Sequence, residues 1–159
     1  MMKKLFLYLL VCLPALATAQ SAPIIDSKTL IERLNAKSDQ IEVVNFWATW
    51  CGPCVAELPL FEKLNNEGRS GIKVTLVSMD LDLVDDPQKV YKFVALKKIK
   101  SEVLIVDEPD ANSWIDDIHS EWSGSLPATL VINHKTGKRK FVANPVREGD
   151  LERLIDAVK

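Results

Sequence analysis

The distribution of apolar and polar positions along the chain alternates between two periods. Residues Ile41–Trp47 form a nearly continuous apolar run rich in β-branched side chains, the signature of a central strand covered on both faces. A helix is predicted from about Cys51 to about Asn66, with Gly68 and Gly71 breaking the chain after it. Ile72–Met79 predicts a second strand, with Ile72, Val74 and Leu76 on one face. Residues 80–86 read as an acidic loop. Pro87 suits a first helical position, and Val90, Phe93, Val94 and Leu96 follow at helical spacing. Val103–Val106 predicts a short strand. Asp110–Trp122 predicts a helix with Trp114, Ile115 and Ile118 as its apolar stripe. Ala128–Asn133 reads as a strand, Lys135-Thr136-Gly137-Lys138 as a hairpin turn, and Lys140–Ala143 as the returning strand. Leu151, Leu154, Ile155 and Val158 mark a closing helix. Upstream, Ser27 is a helix cap for a segment carrying Leu30, Ile31 and Leu34, and residues 20–26 read as a leader without regular structure. Strands alternating with helices predict an α/β fold with a parallel layer and right-handed crossovers. The closing hairpin adds an antiparallel strand.

The first nineteen residues follow a different pattern. Lys3 and Lys4 precede an apolar run, Leu5–Leu16, and Ala17-Thr18-Ala19 then places small residues where a signal peptidase reads them. The layout is that of a secretory signal peptide cleaved before Gln20, which leaves residues 20–159 as one domain. The competing readings are an uncleaved anchor, for which the run is short, and a lipoprotein signal at Cys12, for which Val11 is too large a neighbour. The chain has 20 basic and 22 acidic residues. Loss of Lys3 and Lys4 leaves 18 against 22, a charge of −4, which is no footprint for nucleic acid. No second long apolar segment follows, so no stable membrane insertion is expected after cleavage. Removal of Cys12 reduces three cysteines to the pair Cys51 and Cys54.

That pair lies in Trp50-Cys51-Gly52-Pro53-Cys54, at the junction of a buried strand and a helix. The thiolate is the nucleophile in disulfide exchange. A helix N-terminus favours it through unpaired N–H groups and the positive end of the helix dipole. Cys51 is expected there, partly exposed, with Cys54 one turn below. Pro53 falls in the first turn, where a missing N–H costs little, and Gly52 leaves the approach open. Two other readings compete. A purely structural disulfide would close too short a loop to constrain the unfolded chain much. A zinc site needs four ligands, and only His119 and His134 remain, both read as surface residues.

Residues Phe46-Trp47-Ala48-Thr49-Trp50-Cys51-Gly52-Pro53-Cys54, followed by Glu57-Leu58-Pro59, resemble the thioredoxin superfamily, and more narrowly its exported TlpA/ResA-type thiol-disulfide oxidoreductases. The resemblance spans roughly Ile41 to Val158. It implies a thioredoxin-like three-layer α/β/α sandwich with a mixed central sheet and an insertion between the CxxC helix and the cis-proline strand. Pro59 matches the proline that kinks the family's active-site helix. Pro127, in Ser125-Leu126-Pro127-Ala128-Thr129, matches the family's cis-proline, whose loop lies against the CxxC and pairs with an extended substrate segment. An ordinary trans-proline before a strand is the alternative. Glu57 occupies the position of a glutamate near the two cysteines in ResA-like proteins. It reads either as a shielded carboxyl able to exchange a proton near neutrality or as a solvated first-turn glutamate that suits the helix dipole. Where thioredoxin places a buried aspartate, this chain has Asn45, and an amide cannot shuttle a proton.

The resemblance implies an exported, periplasmic protein-disulfide reductase acting through Cys51 and Cys54, with Glu57 as a proton acceptor. Trp50, Gly52, Pro53, Leu126 and Pro127 would meet the substrate. Its partners would be protein thiols and disulfides, apocytochrome c thiols among the candidates, and a membrane electron donor that re-reduces it. No metal or organic cofactor is required. Trp47, Trp114 and Trp122 read chiefly as packing residues. The alternatives are an exported oxidase or isomerase, and a non-catalytic thioredoxin-fold binding module. A peroxidase is disfavoured by the absence of a Pro-x-x-x-Thr-x-x-Cys context around Cys51.

Overall fold

The computed structural model describes residues 22–82, 86–108 and 110–159. The expected signal segment, with Cys12, lies outside them. The described strands are β1 (Ile24–Ile25), β2 (Ile41–Trp47), β3 (Ile72–Ser78), β4 (Glu102–Val106), β5 (Ala128–Asn133) and β6 (Arg139–Val142). The helices are α1 (Ser27–Asn35), α2 (Gly52–Asn66), α3 (Gln88–Lys97), α4 (Ile115–Ile118) and α5 (Asp150–Val158). The strands form one sheet in the order β1-β4-β3-β2-β5-β6. The pairs β1–β4, β4–β3 and β3–β2 are parallel, and β2–β5 and β5–β6 are antiparallel.

The apolar run 41–47 becomes β2, an inner strand whose side chains alternate between two cores. Val43 and Trp47 point to one face, where they meet Leu58, Phe61 and Leu64 of α2, Val90 and Val94 of α3, and Leu151 and Ile155 of α5. Val44 and Phe46 point to the other face, toward Leu30 and Leu34 of α1 and Ile115 and Ile118 of α4. The result is the three-layer α/β/α arrangement expected from the resemblance. Each fully buried Leu or Phe in these layers contributes about 1.5–3 kcal/mol over its exposed state. Between α2 and β5 the chain adds two parallel strands, β3 and β4, with α3 as their crossover.

Several expectations are corrected. Residues 20–26 are not wholly a leader, because Ile24 and Ile25 form β1 and pair with Ile105 and Val106. The cap of α1 is Asp26, whose carboxylate accepts the Thr29 N–H at 2.7 Å, rather than Ser27. The helix expected over 110–122 breaks into a 3-10 turn at Ala111–Ser113, the single turn α4, and an extended His119. The chain then turns so that the indole N–H of buried Trp122 reaches the Ser125 carbonyl at 2.9 Å. Trp114, Ile115 and Ile118 are still buried together. Leu96, assigned to the apolar face of α3, is 79% exposed.

Candidate active site

β2 ends at Trp47, and the chain crosses Ala48, Thr49 and Trp50 to reach Cys51 at the N-cap of α2. Cys51 and Cys54 form a disulfide with Cα atoms 5.3 Å apart. The Cys51 backbone is extended (φ −86°, ψ 100°), which lets its sulfur turn back over the helix end and accept the Cys54 N–H at 3.3 Å. Gly52 and Pro53 occupy the first turn, where an N–H has no helical acceptor, so the proline costs no bond. Both are exposed, as is Trp50 at 49%. Cys51 is less open than expected: in the disulfide it retains 6% exposure, and Cys54 retains none.

Asp80 holds the loop from below. It opens the stretch that reads as an acidic loop, yet it is buried, in a 3-10 turn directly beyond β3. Its carboxylate accepts the Thr49 N–H at 2.9 Å, the Thr49 hydroxyl, and the Ser78 hydroxyl at 2.9 Å. The Met79 N–H donates to the Trp47 carbonyl at 2.8 Å. The segment entering the CxxC is thereby tied to the end of β3. Sequence reasoning missed Asp80 because an Asp-Leu-Asp run after a strand reads as a solvated turn.

Glu57 lies one turn beyond Cys54 on the same helix, an i,i+3 spacing that makes the two positions neighbours on one helix face. It is 3% exposed, so the solvated reading fails. One carboxylate oxygen accepts the Asn45 Nδ2–H at 2.7 Å and the other accepts the Val146 N–H at 2.6 Å. Burial raises its pKa above the ordinary carboxylate value, and the hydrogen bonds from Val146 and Asn45 pull it partly back. Asn45 projects from β2 toward the α2 face, and its amide also donates, at 3.3 Å each, to the Ala128 carbonyl and the Thr129 hydroxyl. Its Oδ1 has no hydrogen-bond partner among the described residues.

The Leu126–Pro127 bond is cis, as expected. In the antiparallel register Ala128 faces Phe46, which sets Pro127 at the end of the sheet from which the CxxC loop departs. Leu126 packs against the cluster that contains both cysteines. Pro59 lies inside α2, and Trp47 is fully buried against Phe93. His134, read as a surface residue, is instead buried. Its ring contacts Glu42 at 2.9 Å and the Ala36 carbonyl at 2.8 Å, at the end of β2 opposite the disulfide. His119 stacks on Phe141 with ring centroids 4.5 Å apart.

A family model described as thioredoxin matches residues 23–102. The chain belongs to the thioredoxin family. Among curated relatives, the thiol-disulfide oxidoreductase ResA of Geobacillus kaustophilus is 24% identical over 149 residues, covering 91% of this chain and 80% of that protein. Two solved structures share the fold. A thioredoxin-related protein from Neisseria meningitidis serogroup B has a TM-score of 0.64 at 22% identity, covering 75% of this chain and 84% of that one. A secreted thiol-disulfide isomerase from Corynebacterium glutamicum has a TM-score of 0.61 at 19% identity, covering 74% and 70%. This thioredoxin-family chain is similar to ResA over most of its length, and its CxxC pair is joined as a disulfide.

Proposed function

We propose that the chain is an exported protein-disulfide reductase. The observation that carries this reading is the placement of the disulfide. Cys51 sits at the N-cap of α2, with its sulfur already accepting an N–H of the first turn. The same N–H and the helix dipole would stabilise a Cys51 thiolate. Cys54, fully buried, serves as the resolving thiol.

The cycle starts from the dithiol. The Cys51 thiolate attacks one sulfur of a partner disulfide, the partner's S–S bond breaks, and its first sulfur leaves as a thiolate that takes up a proton. Cys54 gives its proton to Glu57, directly or through water, and attacks the Cys51 sulfur. The mixed disulfide breaks, the partner's second sulfur leaves, and the Cys51–Cys54 disulfide remains. Two electrons have passed to the partner, and a membrane-bound dithiol donor returns them. Trp50, Gly52 and Pro53 meet the partner beside Cys51, and the Leu126–Pro127 loop offers backbone to an extended segment. The leader over residues 1–19 delivers the protein across the membrane, and the insertion expected of the exported branch includes β4, at Val103, or the segment around Trp114.

The test is a Cys54→Ser variant, which should accumulate a covalent partner at Cys51 identifiable by mass spectrometry. No trapped partner under conditions where the wild type turns over would refute the cycle. The N-terminus of the exported protein should be Gln20. The second reading, oxidase or isomerase, is favoured by the likeness to a secreted isomerase. A reduction potential near about −120 mV rather than about −270 mV would select it.

A further inference from the structure

A groove of about 440 Å³ runs between α2 and the C-terminal end of α3. Its apolar wall comprises Val55, Leu58 and Pro59 on α2, faced by Phe93 and Ile99. It begins at Val55, the residue after Cys54, and follows α2 to Asn66. Eleven helical steps at 1.5 Å make that about 16 Å, room for about five residues of extended chain.

The rim is basic although the whole chain carries a formal charge of −2. Lys63, Lys97, Lys98 and Lys100 line it, all exposed. Lys63 is paired with exposed Glu148. Lys97, Lys98 and Lys100 have no ion pair among the described residues, and Lys97 lies over the Phe93 ring at 5.8 Å. Glu62 is the acid lining the groove, and its two oxygens accept the backbone N–H groups of Lys100 and Ser101 at 2.7 and 3.0 Å. Lys98 closes α3 in a left-handed conformation (φ 54°), a position where glycine avoids strain. The chain thus keeps a lysine on the rim at a site that favours its removal.

We propose that this groove is the docking slot for an acidic segment, interspersed with apolar side chains, of the chain's redox partner. Apolar side chains of the segment cover Leu58, Pro59, Phe93 and Ile99, and its carboxylates meet the lysines. Opposite charge steers encounter and fixes register. A flat anionic bilayer meets the same lysines but cannot fill a slot between two helices. The proposal rests on the exchange reading for its purpose, since a segment held here stays tethered next to Cys54.

The test titrates a blocked hexapeptide of alternating Glu and Leu into the isotope-labelled disulfide form of the protein. Amide signals of Val55, Phe93 and Ile99 should shift together. The hexapeptide with Lys in place of Glu should not bind. A Lys97→Glu/Lys100→Glu double variant turns two attractions into repulsions and should weaken binding about tenfold or more. Lys98→Gly should weaken binding while raising thermal stability, which separates lost contact from misfolding. No shift, equal binding of the lysine peptide, or unchanged affinity in the double variant overturns the proposal. So does binding to phosphatidylglycerol vesicles without peptide binding. Reduction of a small aromatic disulfide by the dithiol form reports separately on the exchange reading. If the peptide binds while that reduction fails, the slot stands and the exchange chemistry falls.

Discussion

Glu57 sets up a pH test whose sign follows from its burial. Burial raises its pKa above the ordinary 4.5. Between 4.5 and the raised value, the folded chain holds a proton that the unfolded chain has released. The folded state therefore binds more protons, and stability falls as pH rises through that window, then levels off above it. The slope cannot exceed about 1.4 kcal/mol per pH unit for one proton. Glu57→Gln removes the titration but keeps an oxygen for the Val146 N–H. The new amide NH₂ faces Asn45, whose unpartnered Oδ1 can accept from it if the Asn45 amide turns over. The variant should match the wild type within about 1 kcal/mol at acid pH and gain on it as pH rises from 4.5. Glu57→Ala has no such rescue. It leaves the Asn45 Nδ2–H and the Val146 N–H buried without their acceptor, at about 1–3 kcal/mol each. Urea unfolding of the disulfide form at pH 4 to 8, with constant m-value, measures all three proteins. Parallel pH profiles for wild type and Glu57→Gln would refute the reasoning, as would an alanine variant within 0.5 kcal/mol of the wild type.

Three further outcomes follow from the same geometry. Asp80→Ala deprives the Thr49 N–H, the Thr49 hydroxyl and the Ser78 hydroxyl of their acceptor; the loss should be about 2–4 kcal/mol in denaturant unfolding, with faster exchange at the Thr49 amide. His134→Ala removes the imidazole between the Ala36 carbonyl and the buried Glu42 carboxylate, leaving Glu42 the Thr75 hydroxyl at 2.5 Å and looser contacts with Arg33 and Lys73 at 3.8 Å. It should cost about 2–4 kcal/mol with no change in small-disulfide reduction, since the cluster lies at the other end of β2. Leu96→Lys, on the exposed side of α3, should leave the unfolding midpoint unchanged within about 0.5 kcal/mol.

The inner strands and α2 were legible because their signals are local. An apolar run with β-branched residues specifies a covered strand, and Cys51 to Cys54 specifies where a helix begins. Strand β1 was not legible, because two residues, Ile24 and Ile25, cannot display a period. The stripe Trp114, Ile115 and Ile118 was correctly read as buried but wrongly extended into a long helix. One helical turn buries those three side chains as well as three turns would. At the site, the resemblance to ResA-like proteins singles out Glu57, but its partner Val146 is 89 residues away and contributes only a backbone N–H, which leaves no mark in a sequence. Asp80 and His134 were misread for one reason: a polar residue just after a strand looks the same whether it turns outward to water or inward to a buried partner.

The short N-terminal strand has a practical consequence. The C-terminal end of β4 is covered on its outer side, because Pro23 and Ile25 offer their carbonyls to the Ile105 and Asp107 N–H groups at 2.9 and 3.0 Å. The short strand β1 therefore acts as a selvedge for that end of β4. Trimming the chain past Ile25, or fusing a rigid tag against Ala22, would leave the Ile105 and Asp107 N–H groups unmet and open to any passing strand. Self-association of such truncated preparations would then be a product of the cut rather than a property of the protein.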